Sequence, residues 1–158
     1  MQLDTTKNIN LLKLRTLRLL IPFLGSIFFT HQSFAQSDNK IRIETFSVIP
    51  PEIDGCSCYF SCNSKDFKKR AYIYMNDFAQ TSFLKINGKL TKFTQTDFKI
   101  IDKNTTEAKA VSSDYELIVK VKKGRKSGYE SQLNNGWIIL TDKKGNKITK
   151  TFYGECGC

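Results

Sequence analysis

Apolar and polar residues alternate in short runs through most of this chain, the pattern of strands that bury one face and expose the other. Tyr115, Leu117, Val119 and Val121 alternate with Glu116, Lys120 and Lys122. Ile41 and Ile43 open a run to Val48, and Ala71, Ile73 and Met75 stand opposite Tyr72 and Tyr74. Strict alternation puts Tyr59, Tyr72 and Tyr74 on the outer faces of their strands, as partly buried tyrosines or the lining of a binding surface. Ser82–Ile86 and Lys89–Phe93 flank Asn87-Gly88. That pair predicts a hairpin, because a type I′ turn needs positive φ at both residues. Trp137–Thr141 and Lys147–Tyr153 form a second hairpin around residues 142–146, with Gly145 at the left-handed position. Phe98–Ile101 reads as a further short strand, Asn63–Asp66 as a loop, and 102–114 as polar and loop-like. Residues 123–136 read as a long polar connection. There is no heptad, long amphipathic helix or internal repeat. The fold class is all-β, an antiparallel meander of about seven to nine strands.

The cysteines shape this meander. All five lie in two places, Cys56, Cys58 and Cys62 near the start and Cys156 and Cys158 at the end. In an extended segment the even-numbered positions share a face, so Cys56, Cys58, Phe60 and Cys62 point one way. Neighbours at i and i+2 are badly placed to pair with each other, which favours bridges between the two strands. Two bridges and a spare allow fifteen connectivities, and sequence does not choose among them. We expect Cys56, Cys58, Cys156 and Cys158 to be bridged, leaving Cys62 as a free thiol or a link between chains. If the early and late strands lie side by side, the sheet returns on itself. A small barrel is the expected architecture, with a sandwich as the alternative.

Residues 1–35 read as an export signal. Lys7, Lys13, Arg15 and Arg18 precede an apolar run over 19–29, and Ser33-Phe34-Ala35 forms the cleavage motif before Gln36. The run is short for a membrane span and contains Pro22. Residues 36–158 are then one β domain, exported to the periplasm or beyond and not integral to the membrane. Outside the cytoplasm, clustered cysteines normally serve as cross-links. Processing removes four basic and one acidic residue, lowering the net charge from +10 to +7. The basic residues are scattered, which suits a solvated surface or an acidic glycan, envelope or protein partner. Nucleic acid is not expected, because the compartment is wrong and no aromatic-basic motif is present.

His31, the only histidine, lies in the expected signal. The processed chain therefore builds no Ser-His-Asp triad, Cys-His dyad or histidine metal site. Its fourteen acidic residues include no pair marked out as acid and base. We expect no enzyme activity and no cofactor. The rival reading is a thiolate metal site of Cys56, Cys58, Cys156 and Cys158, although Cys-x-Cys-x₃-Cys is not the usual zinc spacing. A non-enzymatic binding or inhibitor module is preferred, and a structural envelope component is a third reading. Its contact segment is 123–136, where Lys126, Ser127 and Tyr129 offer polar contacts around an amphipathic ring.

Ser33-Phe34-Ala35-Gln36, together with residues 142–147 and the ending Tyr153-Gly154-Glu155-Cys156-Gly157-Cys158, resembles small exported proteins of Bacteroidetes-type bacteria ending in Gly-x-Cys-Gly-Cys. Tyr59-Phe60-Ser61-Cys62, Leu84–Lys89 and Ser127-Gly128-Tyr129 are laid out as in the bacterial inhibitors of C-type lysozyme. That resemblance implies an exported eight-stranded barrel with a disulfide from an early strand to the C-terminus. It also implies a Ser-Gly loop entering the lysozyme cleft, with Ser127 and Tyr129 as contacts. This chain has one Ser-Gly where the family has Ser-Gly-Ser-Gly.

Overall fold

The computed structural model describes residues 40–158. The expected export signal and its cleavage point lie outside the described residues. In chain order the elements are β1 (Ile43–Glu44), β2 (Ser57–Ser61), α1 (Ser64–Lys68), β3 (Tyr72–Asn76) and β4 (Thr81–Ile86). There follow β5 (Lys89–Asp102), β6 (Thr105–Val111), β7 (Tyr115–Lys126), β8 (Ser131–Asp142) and β9 (Lys147–Gly157). Eight of the strands form a closed antiparallel barrel in the order β4-β3-β2-β9-β8-β7-β6-β5, with β5 returning to β4. The barrel, not the sandwich, is the architecture, and β1 adds to β4 as a ninth strand. Closure satisfies both edges of every strand without a second sheet.

The two turns expected from sequence are present. Asn87 and Gly88 have φ of 47° and 83°, and Gly145 has φ of 83°. Ile41, Ile43, Leu117 and Val119 point into the main core with Phe60, Phe93, Ile138, Leu140 and Phe152. Phe60 lies at its centre, with ring centroids 4.3 Å from Phe152 and 5.9 Å from Tyr74. Gly154 permits the seam beside Phe60 to close, because a Cβ there would stand 1.9 Å from the Tyr59 carbonyl oxygen of β2.

Several expectations are corrected. Residues 102–114 contain strand β6, and 123–136 is a pair of strand ends, leaving only Ser127–Glu130 between β7 and β8. The Ile41–Val48 run pairs only through β1 and a bridge from Phe46 to Tyr72. Residues 64–68 wind into a helical turn, not a loop, with the Asn63 side chain accepting from the Asp66 N–H at 3.0 Å.

Strict alternation also fails in β3. Phe60 pairs with Tyr74 and Ser61 with Tyr72, so Ile73 is an extra residue opposite β2. Such a bulge turns the next side chain to the other face. Ile73 and Tyr74 consequently both join the main core, and Tyr74 is an interior residue instead of an outer-face one. Tyr72 and Met75 pack outside the barrel with Ile53 and Phe83, and Phe46, Tyr59 and Phe67 cover that second cluster. Tyr59 and Tyr72 are therefore held under the N-terminal segment and α1.

Candidate functional site

One end of the barrel is filled and the other is open. β2 begins and β9 ends at the open mouth, paired Cys58 to Cys156 and Ser57 to Gly157. That register sets the cysteines in facing pairs, and the bridges are Cys56–Cys158 and Cys58–Cys156. Cys62 is free and packs partly buried against the main core. The alternative metal set is left without thiolates, since all four of its sulfurs are bonded to one another. Among the described residues no cluster of three or more histidine, cysteine or acidic side chains is placed to hold a metal ion. Alkylation of the oxidised, denatured protein is expected to label one thiol, Cys62. Intact mass would also show four hydrogens missing, and labelling of any other cysteine would overturn the pairing.

The mouth encloses a cavity of about 530 Å³. Tyr74, the Cys58–Cys156 bridge, Ala110 and Val119 belong to the core and also line this space, forming its floor. Higher up, β6 contributes Ala108 and Thr106, and β7 contributes Val121. Phe78 and Phe98, each about half exposed, stand at the rim. Asn76 donates from its amide nitrogen to the Tyr74 hydroxyl at 3.2 Å. Burial raises the Tyr74 phenol above its ordinary pKa, with the Asp77 charge adding and the Asn76 and Ser82 side chains opposing. The phenol therefore stays protonated across the physiological range.

The three contact residues read from sequence come together at the β7–β8 tip, beyond the same mouth. Lys126 pairs with Gln132 at the end of the ladder. Tyr129 is 97 % exposed. Ser127 is exposed, with its polar atoms engaged within the tip. Its N–H donates to the Ser131 carbonyl at 3.0 Å, its hydroxyl lies 2.9 Å from that of Ser131, and it also donates to the Glu155 carboxylate of β9. Ser127 thus anchors the tip, whereas Lys126 and Tyr129 present it.

Sequence reasoning missed the cavity lining on β6 and β8. The available signal was the period-two row Thr106, Ala108, Ala110, whose side chains are too short to fill a barrel.

Among the described residues no helix is long and apolar enough to cross a membrane. Comparison with protein-family models, curated proteins and solved structures finds no match for this chain. The class that the fold and site define is an eight-stranded, doubly bridged barrel with an open mouth.

Proposed function

We propose that the chain is a non-enzymatic, exported binding module that engages a macromolecular partner through the β7–β8 tip, with Tyr129 and Lys126 as contacts. The observation that carries this reading is the exposed ring of Tyr129 on a short hairpin tied at its base to β9. A large amphipathic side chain on a base already ordered loses little freedom when it is buried against a partner. Paired cysteines are consistent with an oxidising compartment, and the processed chain has no histidine for the common catalytic constellations.

The resemblance noted above supports a C-type lysozyme as the partner. A glycosidase cleft of that kind carries a pair of carboxylates, to which Lys126 beside Tyr129 is complementary in charge. At micromolar concentration the protein is expected to suppress lysis of bacterial cells by a C-type lysozyme. Tyr129→Ala should raise the half-inhibiting concentration about tenfold, the effect of truncating an aromatic hot spot. Undiminished lysis in the presence of the folded, oxidised protein would remove lysozyme as the partner.

A further inference from the structure

We infer that the open half of the barrel binds a small, neutral, mainly apolar molecule. This site is separate from the β7–β8 tip and does not depend on the partner proposed for it.

The space has a cause in the sequence. An eight-stranded barrel is just wide enough for its own side chains to fill it or for one small ligand to be held. Here the inward row of β6 is Thr106, Ala108 and Ala110, facing Val119 and Val121 of β7. No large side chain from that wall occupies the middle. The volume of about 530 Å³ falls within the range of small-molecule pockets.

The polarity of the lining selects the ligand. Asn76 Oδ1 is sealed within the wall and its amide nitrogen donates to the Tyr74 hydroxyl, so this side chain offers the space no free acceptor. Two opposite charges, Asp77 and Lys123, border the space. Asp77 accepts from the backbone N–H groups of Ala79 and Thr81, both at 2.9 Å, and Lys123 is exposed at the rim. The floor and walls near Asn76 are otherwise apolar or uncharged, which disfavours an ionised ligand. Phe78 and Phe98 give the entrance an apolar edge, and Phe78 is held there at a positive φ of 57°.

The probe is N-phenyl-1-naphthylamine, a neutral apolar fluorophore, titrated into the oxidised protein. We expect its fluorescence to rise to saturation at one site per chain. The methyl resonances of Ala108 and Ala110 in the unaltered protein should shift in parallel. Ala108→Phe, which fills the space, should weaken binding about tenfold or more. Absence of saturable binding up to the probe's solubility limit would overturn the site, as would saturation without movement of the two alanine methyls.

Discussion

Removing both disulfides by replacing Cys56, Cys58, Cys156 and Cys158 with serine is expected to lower stability by about 6–7 kcal/mol, whereas removing either bridge alone costs about 2 kcal/mol. The bridges span 102 and 98 residues, so either one alone restrains the unfolded chain to nearly the same extent. They are not independent, because they join the same two strands two residues apart. While one remains, the long loop stays closed, and the other restrains only the few residues between them. Loss of the second bridge releases the whole loop, a step of about 4–5 kcal/mol in the chain-entropy model. The total is comparable to the stability of a small domain, so the four-serine variant should be largely unfolded at 37 °C. Urea midpoints of the two pair variants and the four-serine variant, read with their slopes, check this. Equal and additive losses would show that the bridges act through local native contacts instead of through the loop.

Phe60→Ala should be the most damaging single truncation, lowering stability by about 3–5 kcal/mol. Phe60 is fully buried and packs between Tyr74 of β3 and Phe152 of β9, where the strand carrying the early cysteines meets both neighbours. The Cys58–Cys156 bridge and the Gly154 contact with Tyr59 pin this seam, so collapse into the space left by the ring is restricted. Phe98→Ala, on the half-exposed rim, should change stability by no more than about 0.5 kcal/mol. Denaturation monitored in the far ultraviolet separates the two. Similar losses at both positions would mean that the rim contributes to the core as much as the seam does.

The parts of the fold legible in sequence are those whose inward residues are large and apolar. Leu117, Val119 and Val121 announced β7, and Asn87-Gly88 announced the β4–β5 hairpin. The even spacing of Cys56, Cys58 and Cys62, answered by Cys156 and Cys158, pointed to two strands lying together. Two of the stretches read as loops, 102–114 and 123–136, hold strands that wall the mouth. Thr106, Ala108 and Ala110 of β6, and Gln132, Asn134 and Gly136 of β8, face inward without forming an apolar row. Next to an open space, small and polar side chains can point inward, and the contrast that marks a strand disappears. The extra residue at Ile73 is hidden for a related reason. A bulge is defined by the strand opposite, and alternation along one strand carries no record of it.

Of the tip, Tyr129 was visible as a ring in a polar run, but the anchoring of Ser127 by Glu155 joins residues 28 apart in the chain. The cavity was not visible at all. A void is a property of several walls together, and no single segment encodes its volume.

By itself the sequence determined the all-β class, the antiparallel hairpins and the grouping of the cysteines, because these follow from side-chain periodicity and local backbone preference. Only the tertiary structure decided that the sheet closes as a barrel, which cysteines pair, and that one end stays open. Those outcomes depend on register between strands up to a hundred residues apart, which local chemistry permits in many forms and three-dimensional packing reduces to one.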